Sequence, residues 1–184
     1  MIAVMAQALL IVDFQNDFTA DGALAVPDGE AIADRVNELA ADPRFDLVVA
    51  TRDWHPPGHG SFAEQGGPWP VHCLQDTEGA ELYPGLDRSR VDVVLDKGQD
   101  MDTEGYSGFD GTRLAELLRE RGIDRLTVVG LATDYCVKNT ALDALREGFE
   151  VEVDSAGVRG VEVHEGDSAR ALEEMRDAGA KVLA

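Results

Sequence analysis

Only two cysteines occur in the 184 residues, Cys73 and Cys136, so at most one bridge is available and a disulfide-built scaffold is excluded. Both are expected to be free, in a reducing, cytoplasmic setting. Long apolar runs are also missing, since nothing approaches the roughly 20 residues that cross a bilayer. The apolar start, Met1–Val12, lacks the basic opening and small-residue cleavage site of a secretory signal. Positive charge is scarce. Asp and Glu outnumber Lys and Arg 36 to 16, giving a formal net charge of −20, and lysine stands only at positions 97, 138 and 181. Phosphate backbones and anionic lipid surfaces are bound by clustered cations, so nucleic-acid and membrane partners are not expected. Such a surface suits high ionic strength, and a biased genome composition produces the same excess, which leaves the habitat open. What is present is a 44% apolar chain, enough for a packed core, of a length that suits one domain over residues 1–184. Its expected partner is a small molecule, bound by a single chain or a homo-oligomer.

Apolar runs alternate with helical spacings along the chain. Ala8–Asp13, Phe45–Thr51, Val91–Leu95, Arg125–Leu131, Phe149–Val153 and Lys181–Leu183 read as six strands. Gly29–Ala40 with Asp28 as N-cap, Thr112–Arg121, Asp134–Glu147 with Thr133 as N-cap, and Asp167–Ala178 read as helices. This alternation predicts a three-layer α/β/α sandwich around a mostly parallel sheet. One connection is too long for the pattern. Arg52–Gly79 holds both tryptophans, three of the four histidines and four of the seven prolines, and a loop of that length in a compact domain is usually functional.

Ligands of open parallel sheets bind beyond the carboxyl ends of the strands. Those ends carry Asp13, Asp53, Lys97 and Cys136 after the first four strands. Taken singly each is an ordinary strand cap. Together they bring a nucleophile, carboxylates and a cation to one edge. Cys136, read as lying in the first turn of its helix, is expected to gain thiolate character from free amides and the macrodipole, with Asp134 opposing. Asp53 and His55 alternate on an extended segment, and His72 follows in PWPVHC. One Asp and two His with open positions suit a single divalent ion, Zn²⁺ first, with Mn²⁺ or Fe²⁺ as alternatives. His59, Ser61 and Glu64 are possible additions to that set, while His164 reads as a solvated surface residue.

At LLIVDFQNDF (Leu9–Phe18), TRDWHPPGHGSF (Thr51–Phe62), GGPWPVHC (Gly66–Cys73), KG with YSGF (Lys97–Gly98, Tyr106–Phe109) and GLATDYCVKNTALDA (Gly130–Ala144), the chain resembles the nicotinamidases. These are a branch of the cysteine hydrolases that also includes isochorismatase-like proteins and carbamoyl amidases. The resemblance implies a six-stranded parallel sheet, a Cys136–Asp13–Lys97 triad, and a cis peptide between Leu131 and Ala132 that turns the amides of Ala132 and Cys136 toward one oxyanion. It implies a metal-binding loop at about 52–80 with Asp53, His55 and His72 as ligands, and a fourth place filled by Ser61, Glu64 or water. It also implies a flat pocket lined by Phe18, Trp69 and Tyr106. The implied activity is metal-dependent hydrolysis of nicotinamide to nicotinate and ammonia through a cysteine thioester, a step of NAD salvage. Three other readings compete. One is a related cysteine amidase acting on a ureido or carbamoyl substrate, another a hydrolase whose metal makes hydroxide, and the last a non-catalytic metal-binding scaffold.

Overall fold

The computed structural model describes residues 5–184. The reading of Met1–Val12 as lacking a secretory signal falls partly on residues 1–4, which lie outside the described residues. Six strands, β1 (Ala6–Val12), β2 (Leu47–Asp53), β3 (Val93–Lys97), β4 (Ile123–Leu131), β5 (Glu150–Arg159) and β6 (Lys181–Leu183), form one sheet in the order β3-β2-β1-β4-β5-β6. Every neighbouring pair is parallel. The central strand β1 is buried continuously from Ala8 to Val12, which is why its sequence is an unbroken apolar run rather than an alternation.

Alternate residues of β1 serve two cores. Ala8, Leu10 and Val12 pack with the apolar faces of α2 (Leu114–Glu120), α3 (Lys138–Arg146) and α4 (Asp167–Ala178), including Leu118, Ala144 and Met175. Leu9 and Ile11 pack on the opposite face with α1 (Ala33–Ala40), through Val36 and Leu39. Each such leucine, fully removed from water, contributes about 1.5–3 kcal/mol. Helices thus cover both faces of the sheet, as the alternation of elements predicts. Among the described residues no helix is long and apolar enough to cross a membrane.

Several local expectations are corrected. Asp28 does not cap the first helix. Its backbone is left-handed (φ 53°), its side chain caps nothing, and the helix opens with a 3-10 turn over Gly29–Ile32 before α1 begins. Thr133 is no N-cap either, because Thr133–Val137 form a single wide π-type turn that leads into α3. Strand β5 runs to Arg159 rather than Val153, with a register shift against β4 after Val128 and pairing resumed at Val158. The long connection between β2 and β3 is not structureless. It carries 3-10 turns at Ala63–Gln65, Glu78–Ala80 and Arg88–Arg90, and bridges His55 to Leu74 and Phe62 to Trp69. Its partly buried backbone needs those partners.

The strand order reverses direction between β1 and β4, and this reversal opens a crevice at their carboxyl ends. Gly130, in β4, has φ 118° and lies so close to the Val12 backbone that a Cβ there would overlap its carbonyl oxygen. Only glycine lets the two strands meet at the base of the crevice.

Candidate active site and metal centre

Register decides which side chains meet. Asp53 lies opposite Lys97 across β2 and β3, so both point to the same side of the sheet. Asp13 follows β1 with a left-handed backbone (φ 47°), its amide donating to the Thr51 carbonyl. Cys136 enters from the turn after β4. The four expected residues converge: the Asp13 and Asp53 carboxylates and the Cys136 sulfur lie within 4.8 Å of one another.

Lys97 fills the space between them. Its Nζ donates to Asp53 Oδ1 (2.6 Å), the Gly105 carbonyl (2.8 Å) and Cys136 Sγ (3.5 Å), and sits 2.8 Å from Asp13 Oδ2. With 1% of its surface exposed, this ammonium persists only because it is paired. Burial works against its charge, and Asp13, Asp53 and Cys136 outweigh it, so its pKa stands well above the usual lysine value. For Asp13, burial outweighs Lys97, and the carboxyl is raised to about 6. Burial alone would raise Asp53 as well, but Lys97 and then His55 hold it well below the usual carboxylate range.

The cysteine differs from its expected character. Burial, only partly offset by Lys97, pushes the Cys136 thiol well above its ordinary value. Asp134, expected to oppose the thiolate, is engaged elsewhere. Its carboxylate is turned away and accepts the Val161 and Glu162 amides, each at 2.9 Å. At rest the site therefore pairs a neutral thiol with a carboxylate base poised near neutrality. Asp13 Oδ1 is occupied by the Thr51 hydroxyl at 2.8 Å. Oδ2, although ion-paired to Lys97, has no aligned hydrogen bond among the described residues, so a lone pair is free for a proton.

The peptide Leu131–Ala132 is cis, as the resemblance implies. The Ala132 carbonyl accepts the amides of both Tyr135 and Val137 at 3.1 Å, and the Cys136 amide, lying between them, is not part of that pair.

The second carboxylate oxygen of Asp53 faces two histidines, 3.4 Å from His55 Nε2 and 3.9 Å from His72 Nε2. Each ring is oriented from behind. His55 Nδ1 meets the Gly98 carbonyl at 2.7 Å and His72 Nδ1 the Pro70 carbonyl at 2.8 Å. A carbonyl only accepts, so both Nδ1 atoms carry hydrogen and both Nε2 lone pairs point inward. Three buried donors with fixed tautomers fit a divalent metal ion. Burial lowers the His55 pKa and the facing Asp53 carboxylate raises it by more, so a proton competes with an ion for that Nε2 lone pair.

The expected additions to that set do not join it. Glu64 is exposed on the loop. Ser61 Oγ lies 2.7 Å from His59 Nδ1, and His59 Nε2 meets the Asp100 carbonyl at 2.9 Å, so both are occupied elsewhere. His164 is on the surface, as expected, with 82% of its side chain exposed.

Of the three expected pocket aromatics, Phe18 lies beside the histidines, while Trp69 and Tyr106 pair with each other. The Phe18 ring lies 5.7 Å from that of His72, and Trp69 Nε1 donates to the Tyr106 hydroxyl at 3.1 Å. Tyr135, absent from the sequence reading, completes that wall, edge-on to Trp69 at 4.9 Å. Two buried supports were also missed. Gln15 clamps the Asp53 backbone, donating to its carbonyl and accepting from its amide, both at 2.8 Å, while Thr51 holds Asp13. The available signal was a polar residue inside an apolar strand or one turn past it. Cys73, adjacent to His72, is buried and unbridged.

Comparison with known proteins gives the family and the fold. The family model described as the Isochorismatase domain matches residues 7–184. A curated nicotinamidase of Escherichia coli is 45% identical, over 95% of this chain and 92% of the relative. The crystal structure of the pyrazinamidase of Pyrococcus horikoshii in complex with zinc superposes with a TM-score of 0.89 at 48% identity, covering 96% of this chain and 98% of the other. That of PnC1 from L. infantum in complex with nicotinate superposes at 0.92 with 38% identity, covering 100% and 94%. Sheet order and near-full-length similarity lead to one assignment: the chain belongs to the isochorismatase family, in the branch of the nicotinamidases.

Proposed function

We propose that the protein hydrolyses nicotinamide to nicotinate and ammonia, with Asp13, Lys97 and Cys136 as its catalytic residues. The observation that carries this reading is the Lys97 ammonium lodged between Asp13, Asp53 and Cys136 Sγ, beside a metal-ready trio that shares Asp53. An amide is a weak electrophile, and such a site meets it with a nucleophile made on demand. Asp13 takes the thiol proton as Cys136 sulfur bonds to the carboxamide carbon. The Ala132 and Cys136 amides receive the developing oxyanion, each such donor being worth about 3–4 kcal/mol of barrier. Collapse breaks the C–N bond, and Asp13 returns its proton to the departing ammonia. Water then adds to the thioester, with Asp13 as base. The thiol is restored as nicotinate leaves. Lys97 keeps Asp13 in place and offsets the charge that passes between oxygen and sulfur.

Asp53, His55 and His72 would hold the metal, which we assign as Zn²⁺, as in the P. horikoshii complex. When bound, it supplies a Lewis-acid contact suited to a pyridine nitrogen. Phe18, Trp69 and Tyr106 then orient the flat ring so that the carboxamide faces Cys136.

The test is ammonia release from nicotinamide, with and without a chelator, followed by metal analysis of the active fraction. Release that falls on chelation and returns with Zn²⁺ is expected. Full activity in metal-free protein would favour a carbamoyl or ureido substrate, which has no ring nitrogen to ligate.

A further inference from the structure

The connection that leaves β3 forms a pinched loop over residues 98–105. Gly98 and Gly105 both have φ 67°, and a Cβ on Gly105 would press on the Gly98 backbone, so the neck of the loop requires glycine. Residues 99–104 are all exposed. Four carbonyls nevertheless turn inward from this loop. Gly98 receives His55 Nδ1 (2.7 Å), Asp100 receives His59 Nε2 (2.9 Å), Met101 receives the Gly60 amide (3.1 Å) and Gly105 receives Lys97 Nζ (2.8 Å). Side-chain packing contributes little to its position. A cavity of about 80 Å³ beside Lys97 and Asp100 and another of about 400 Å³ between Ser61 and Thr103 adjoin it.

His59 is fully buried and has no part in the chemistry above. Its ring stacks on that of the metal ligand His55, centroids 4.1 Å apart at 26°. Facing a carbonyl, Nε2 must carry the hydrogen, so Nδ1 accepts from the Ser61 hydroxyl at 2.7 Å and the ring is held at both ends. We propose that His59 is a positioning residue, a latch that holds the 98–105 loop against the metal-ligand segment and so orients His55 and Lys97 together. The inference rests on the reading of Asp53, His55 and His72 as a metal site. With the latch open, glycines at the neck leave the Gly98 and Gly105 carbonyls free to drift from the groups they orient. Loss of such an outer partner commonly weakens metal affinity about 10–100-fold.

The test uses His59→Phe, which keeps the stacked ring and loses both hydrogen bonds, and His59→Gln, whose amide can still donate to the Asp100 carbonyl. Zn²⁺ affinity is read by competition with a chromophoric chelator, loop order by amide hydrogen exchange, and catalysis by kcat and KM. For His59→Phe we expect about 10–100-fold weaker Zn²⁺ binding. Exchange should be faster at residues 99–105 with the sheet unchanged, and kcat should fall more than KM rises. His59→Gln should recover most of each. Wild-type exchange and Zn²⁺ affinity in His59→Phe would overturn the latch. So would a folded His59→Gln with no recovery, and this comparison stands even if the Phe variant does not fold. Wild-type protein that takes up no Zn²⁺ would instead refute the metal site, and loop exchange would still decide on the latch.

Discussion

Replacing Lys97 by Met keeps most of the side-chain volume and removes one charge, which makes it the most direct probe of the buried centre. The ammonium is ion-paired to Asp13 at 2.8 Å and to Asp53 at 2.6 Å, in a place 1% exposed. Without it, two buried carboxylates within 4.8 Å of each other lose their shared counterion. Breaking a buried pair from one side costs about 3–5 kcal/mol, a large part of the roughly 5–15 kcal/mol that holds a typical domain together. The loss must depend on pH. In the unfolded chain Asp13 titrates near 3.8, and in the folded protein near 6, with Lys97 holding it down against burial. Removing Lys97 raises the folded value further. The folded variant then keeps a proton that the unfolded chain has already released, so its stability keeps falling as pH rises beyond the point where the wild type levels off. Urea denaturation with chelator present, at pH 5 and pH 8, should show the larger deficit at pH 8. A deficit below about 1 kcal/mol, or one equal at the two pH values, would refute the view of Lys97 as the counterion of this centre.

Four further outcomes follow from the same geometry. Because Asp13 must be ionised to accept the thiol proton, kcat/KM should fall about tenfold per unit below its pKa of about 6, and a flat profile down to pH 5 would exclude it as base. Cys136→Ala should abolish ammonia release while calorimetry still detects nicotinamide binding; substantial residual turnover would end the covalent route. Thr51→Val, which removes the 2.8 Å hydroxyl bond to Asp13, should cost about 1.5–3 kcal/mol in urea and move the acid limb of the rate profile upward. Gly130→Ala places a Cβ against the Val12 carbonyl at a left-handed position, and should lower stability by more than about 3 kcal/mol or prevent folding, as thermal melts would report.

Errors in the sequence reading share a cause. Asp28 and Thr133 have the right chemistry for caps, yet neither caps a helix, because the first turns of these segments are 3-10 and π rather than α. Those turns are set by what the segment packs against, which local propensity does not contain. Glu64 has good ligand chemistry and a plausible spacing but points to solvent, and Ser61 is claimed by His59. Spacing along a loop carries no information about which way each side chain turns. At Cys136 desolvation, a property of depth, outweighs the local field of one turn.

Unbroken apolar runs, helical spacings and polar strand ends were enough to establish a parallel sheet, covered on both faces, with Asp13, Asp53, Lys97 and Cys136 along one edge. These are periodic or terminal features, written in neighbouring residues. Tertiary structure alone decided that β3, β2, β1 and β4 lie side by side in that order. It thereby placed one ammonium among three acidic groups and left one carboxylate, Asp53, shared between the lysine and the two histidines. Protonation states at the site follow from burial and from distances of 2.6–3.9 Å between residues up to 84 positions apart in sequence, Asp13 and Lys97, and such distances exist only after the chain has folded.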